Sequence, residues 1–209
     1  MKGFLNLDHP IWKFIGRIID VFVLHIFWVI CCVPIITIGP ATAALYYSLM
    51  KDIEDEEGHY APLFFKSFKE NFKQGILITL ILLVSGILLA FSHYFYYKVD
   101  FQGVVWMILQ VILYLFTAAY IMTITYVFPL FARFNNSITQ LFRNSFFMSI
   151  RHFGWTIVMI LIFSLVYFIA LYLQYYVILL LGFGIVAYLD TYIINHILKA
   201  YTKDANPHQ

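Results

Sequence analysis

The chain has 209 residues, 63% of them hydrophobic and only 11% charged, with a mean hydropathy of +0.85. A water-soluble domain carries roughly 25% charged residues, so there is too little polar surface here to cover a globule in water, and lipid is the solvent for most of the chain. A net charge of +2 without a basic stripe interleaved with aromatics gives no footing for nucleic acid, and the adjacent Cys31 and Cys32 offer neither a disulfide framework nor metal-ligand spacing.

Lys2, Lys13 and Arg17 precede the first apolar stretch, and Ala41-Thr42-Ala43 resembles a cleavage site. The stretch outruns a signal peptide and more spans follow, so it reads as an uncleaved anchor. Its centre holds two helix breakers. Pro34 cannot donate to the carbonyl of Ile30, nor Pro40 to that of Ile36, so the helix must break between them. Non-helical backbone at membrane depth survives only when packed in protein or lining a wet cavity. Gly39-Pro40 reads as a restart, because proline suits the first turn of a helix. The sequence therefore predicts a helix over Ile11–Cys32, a turn at 34–39 and a returning helix from Pro40 to about Asp52. A single kinked span is the alternative.

The acidic run Asp52, Glu54, Asp55, Glu56 and Glu57 follows, either a solvated turn or a docking surface for a partner. In the next segment Phe64, Phe65, Phe68 and Phe72 share one helical face, which predicts an amphipathic helix at the headgroup level. Four stretches are long enough to cross: Gly75–Tyr97, Gly103–Phe128, Gly154–Tyr172, and Tyr175 to about Asn195. The links at 98–102 and 173–174 are short, so the four pair as two hairpins. A second amphipathic stripe, Phe134, Ile138, Leu141, Phe142, Phe146 and Ser149, lies between them, with Arg133, Arg143 and Arg151 able to reach lipid phosphates. The expected fold is thus all-α and polytopic. One membrane domain, 1–209, divides into a broken N-terminal hairpin (11–52) and two units of interfacial helix plus hairpin (60–128 and 131–199).

If the short links face outward and the first segment returns, every Lys and Arg except Lys98 lies on the cytoplasmic side, with both termini there. The positive-inside rule prefers that arrangement to a single first crossing. The two units suggest an internal repeat, in which TYVFPLFAR at 125–133 parallels TYIINHILK at 191–199.

No HExxH, GxSxG or phosphate-cradling Gly-Lys loop occurs, so neither an enzyme nor a resident cofactor or metal is expected. Ionisable groups inside spans are costly and mark candidates. Asp190 lies about 22 Å along the last span at 1.5 Å per residue, either paired with a basic residue such as Arg17 or Arg133 or touching a solute. The start of the Pro40 helix offers the N–H groups of 41–43 beside the hydroxyls of Thr37 and Thr42, as a polar contact site or as simple partners for freed carbonyls. His25, near Trp28, is a packed histidine or a proton or solute contact.

Asn6-Leu7-Asp8, Pro10-Ile11-Trp12, the stretch P-x-x-T-I-G-P-A-T-A-A-L-Y from Pro34, and Phe68–Gln74 resemble the YesL-like family of bacterial integral membrane proteins. The resemblance implies a multi-pass protein of the bacterial cell membrane, encoded beside carbohydrate uptake systems and their sensor-regulator pairs. It carries no catalytic or binding residues across. The expected function is an accessory subunit that supports carbohydrate uptake or its regulation by contact with a permease or sensor. The alternative is a self-contained small-solute transporter or channel; a homo-oligomer is compatible with either.

Overall fold

The computed structural model describes residues 10–54, 60–99, 103–172 and 176–205, all in helices and their short connections. In chain order these are α1 (Pro10–Cys32), a 3-10 turn at Ile35–Thr37, α2 (Ile38–Ile53), α3 (Tyr60–Glu70), α4 (Phe72–Lys98), α5 (Val104–Arg133), α6 (Ile138–Arg151), α7 (Phe153–Tyr172) and α8 (Tyr176–Ala205). Three of them, α4, α5 and α7, are long and apolar enough to cross a membrane. The fourth expected crossing falls on α8, which packs on α7; part of that expectation, residues 173–181, concerns side chains outside the described residues.

The break in the first segment forms where the two prolines dictate. Pro34 takes an extended conformation (φ −78°, ψ 116°), which ends α1. The Thr37 hydroxyl lies 2.6 Å from the carbonyl oxygens of both Cys31 and Pro34 and satisfies what the broken helix leaves open. Helix α2 then starts at Ile38, two residues earlier than the sequence predicts, because the 3-10 turn supplies its first bonds. An α-helix begins with orphan donors. Here the amide of Thr37 donates to Pro34 O, that of Ile38 to Ile35 O and that of Gly39 to the Thr79 hydroxyl, while Pro40 has none to place. The expected N–H site at 41–43 is therefore absent: these residues lie inside the helix and the true start is already satisfied.

Helix α2 is the pillar of the structure. It touches α1, α3, α4, α5 and α8, and its small residues let those neighbours come close. At Gly39 the approach is extreme: a Cβ there would lie 2.2 Å from the Thr79 hydroxyl and 2.3 Å from Gly75 O. Gly75 returns the constraint, since its own Cβ would meet Pro40 at 2.7 Å. Trp28 Nε1 donates to Thr42 Oγ1 at 3.0 Å, tying the end of α1 to the start of α2, so the first segment folds back on itself as a helical hairpin.

The two amphipathic helices fold back onto the protein. In α3, Phe64 is fully buried against Leu24, Leu45 and Leu49, whereas Phe65 and Phe72 are exposed. The expected single lipid-facing stripe is thus split, with Phe64 turned to the α1–α2 hairpin. Helix α6 begins with a reciprocal Ser137–Gln140 capping box and lies along α5, burying Leu141, Ser145 and Ser149. The Tyr126 and Thr156 hydroxyls, 3.1 Å apart, join α5 to α7 at the end of the bundle that carries Arg133.

Helix α4 pairs with α5 through Tyr120 Oη to Leu82 O (3.0 Å) and His93 Nε2 with Thr117 Oγ1 (2.8 Å). Pro129 does not end α5, which runs on to Arg133, beyond the predicted limit at Phe128. The order of short amphipathic helix, long apolar helix and return recurs twice. The local match of 125–133 with 191–199 is not a structural equivalence, however: Tyr126 is 0% exposed and Tyr192 66%.

Candidate ligand cavity

Between α5 and α7 on one side and α1, α2 and α8 on the other lies a cavity of about 500 Å³. Helical spacing explains who lines it. Ile38, Thr42 and Tyr46 are successive fours on α2, Ile121, Ile124, Thr125 and Phe128 share a face of α5, and Phe183, Val186 and Asp190 share a face of α8. Met159, Ile160, Phe163 and Ser164 of α7 close the circuit, and Trp28 comes from α1. The lining is almost wholly apolar.

Its ionisable group is Asp190. The residue is 6% exposed, and its buried Oδ1 has no hydrogen-bond partner among the described residues. The expected basic partner Arg133 is engaged elsewhere: its Nη1 donates to Glu54 Oε1 at 2.6 Å and to Asn195 Oδ1 at 3.1 Å. Arg17, the other expected partner, lies near Tyr60, together with Asp20 and Asp52. Tyr46 faces the same cavity within electrostatic reach of Asp190.

Of the residues singled out from sequence, Asp190 and Thr42 therefore meet in one cavity. His25 does not line it: the ring is buried, stacked 5.3 Å from Trp28 and held so close to α8 that a Cβ on Gly184 would lie 2.8 Å away. Its work is packing behind the wall. Thr37 caps the break, and Pro34, Gly39 and Pro40 form it. Among the acidic residues, Asp52 is buried and accepts a hydrogen bond from Tyr60, while Glu54 is partly exposed and paired with Arg133 and Lys51. Asp55, Glu56 and Glu57 lie outside the described residues.

The Arg133 end of the bundle has a smaller hollow of about 240 Å³ lined by Tyr47, Met50, Lys51, Glu54, Ala132 and Arg133. Burial pushes the Glu54 carboxyl up, but the hydrogen bond and charge of Arg133, aided by Lys51, outweigh it and hold the group below the usual carboxylate range. At Tyr60, burial first, then the charge and hydrogen bond of Asp52, push the phenol up to about 12. Among the described residues no group of three His, Cys, Asp or Glu could hold a metal ion.

Sequence reasoning missed Trp28, Tyr46, Phe183 and Val186 as site residues. The i, i+4 spacing of Tyr46 to Thr42 and of Val186 to Asp190 marks each pair as facing the same way, a signal that was present. Trp28 and Phe183 stack at 4.3 Å across two helices, which no local pattern reveals.

Residues 21–93 match the family model described as Protein of unknown function, DUF624. That stretch runs from within α1 through the break, α2 and α3 to most of α4, and covers the region where the P-x-x-T-I-G-P-A resemblance lies. It includes Trp28, Thr42 and Tyr46 but not the walls from α5, α7 and α8. No curated protein and no solved structure matches the chain.

Proposed function

We propose that this is a multi-pass protein of the bacterial cell membrane that binds a small ligand in the cavity enclosed by α1, α2, α5, α7 and α8 and handles it as a transporter or channel does. The observation that carries the reading is Asp190: a carboxylate with an unpartnered oxygen at the wall of a roomy cavity. Buried charges are costly unless paired, and in membrane helices they mark substrate or ion paths. A volume near 500 Å³ is in the range of small-molecule sites. Charge supports an orientation with the Arg133 end and both termini in the cytoplasm: Lys51, Lys66, Arg143 and Arg151 belong to that end and Lys98 to the other.

An accessory role beside a carbohydrate permease or its sensor is the second reading. It is favoured by the resemblance to the YesL-like family and by α5, where no residue of the most apolar 18-residue stretch is buried within the chain. The cavity itself suits a sugar poorly, because a sugar needs a dense set of donors and acceptors and this lining is nearly all hydrocarbon. A role in carbohydrate uptake would then run through contact with a partner.

Chromosomal Asp190→Asn separates the two readings. If the cavity acts on a ligand, the variant reproduces the growth phenotype of deleting the chain while its yield and unfolding midpoint stay at wild-type values. If the chain is accessory, Asp190→Asn grows as wild type, and permease or sensor subunits come out with the tagged protein in stoichiometric amount.

A further inference from the structure

We propose, resting on the cavity reading above, that the ligand is an amphiphile with an ammonium head and an apolar body, and that it reaches the cavity sideways from the bilayer between α5 and α7. The head is assigned by chemistry. An ionised carboxylate is acceptor-only, and a cation beside Asp190 both favours that form and fills its empty Oδ1. Among the described residues none is supplied: Arg133 is held by Glu54 and Asn195, and no described lysine or arginine lines the cavity. An anionic head would be repelled.

The body is assigned by the rest of the lining, in which Ile38, Ile124, Phe128, Met159, Ile160 and Val186 offer only dispersion and exclusion of water. The route is assigned by exposure. Ile121 on α5 and Phe163 on α7 line the cavity yet are 42% and 43% exposed, so the open side lies between these two helices. Counted from the ends carrying Arg133 and Phe153, they sit about 18 Å and about 15 Å along their helices at 1.5 Å per residue. In a hydrocarbon core about 30 Å thick that is the midplane, where the neighbour is acyl chain and water is absent.

The probes are n-octylammonium, n-octanol and n-octanoate, which share one apolar chain and differ in the head. Each is titrated against the full-length protein in phosphatidylcholine nanodiscs, with binding read calorimetrically and by the unfolding midpoint. Octylammonium is expected to bind saturably and at least about tenfold more tightly than octanol, with octanoate weakest. Asp190→Asn, checked by an unchanged midpoint without probe, is expected to bring octylammonium down to the level of octanol. Val186→Phe, which shrinks the cavity and leaves the carboxylate, is expected to weaken both. Repeating the titration with phosphatidylethanolamine in the disc identifies the source of the amine: competition assigns it to a lipid headgroup, and unchanged binding to a free lipophilic amine. Equal binding of octylammonium and octanol, both lost in Val186→Phe, would overturn the ammonium assignment and leave the cavity reading standing. No saturable binding of any probe would overturn both.

Discussion

Of the 16 residues of α2, 12 are buried, whereas none is buried in the most apolar 18-residue stretch of α5. The two helices reverse what hydropathy alone suggests. Helix α5 is rich in Leu, Ile and Phe because its neighbour is lipid, and lipid exerts no pressure to bury them. Helix α2 carries Gly, Ala, Thr and Ser because its neighbours are five other elements, and close approach between backbones needs small side chains. In this chain the least apolar membrane segment is the interior, and the most apolar ones form the outside. The cavity follows the same division: it lies where a wall of α2 faces α5 and α7, and its buried polar side chains, Thr42 and Asp190, come from α2 and α8.

The comparison is broken most severely at the glycine contact. Gly39→Val is expected to cost at least about 3 kcal/mol of stability, since the new side chain meets Gly75 backbone that cannot swing away. Thermal unfolding in mild detergent reads this, and a midpoint close to wild type would mean that α2 and α4 are not in contact. Arg133→Ala is expected to cost about 1–3 kcal/mol, because it strips Glu54 and Asn195 of a charged donor. The same pair sets a pH dependence. Glu54 is held below its ordinary value, so its contribution is present at neutral pH and fades as pH falls through the folded value. Glu54→Gln should therefore lose less of its midpoint in acid than wild type does.

Smaller effects sharpen the picture. Thr42→Val removes the acceptor of the Trp28 indole and is expected to cost about 1–2 kcal/mol, with a shift in tryptophan emission. Conservative apolar exchanges on the outer face of α5, such as Leu115→Ile at a 64% exposed position, are expected to change stability by less than about 0.5 kcal/mol. A series of such exchanges that each cost several times more would place a protein neighbour on that face.

Much of this fold is legible in the residues. Pro34 and Pro40 force the break, because a missing N–H in lipid cannot be repaired by water, and the long apolar runs show α4, α5 and α7 by length alone. The exact start of α2 is not legible: it depends on a hydroxyl from Thr79, distant in sequence, taking the Gly39 amide. The burial of Phe64 is hidden for another reason. A phenylalanine facing lipid and one facing Leu24 and Leu49 satisfy the same hydrophobic pattern, so amphipathicity marks a face without naming what covers it. Asp190 stands out from sequence as a costly residue, but its lack of a partner does not, since that depends on Arg133 turning to Glu54 instead.

The most direct test is labelling from the hydrocarbon phase. The protein is reconstituted in liposomes, an apolar carbene-generating photoprobe is activated in the bilayer, and modified residues are mapped by mass spectrometry. Label is expected on the outer faces of α4 and α5, at positions such as Ile87, Leu88, Leu115 and Phe116, and not on Ala43, Ala44, Leu45, Ser48 or Leu49 of α2. Label on those α2 residues at a density matching α5 would contradict a core built around the returning arm, and with it the cavity that the arm helps to enclose.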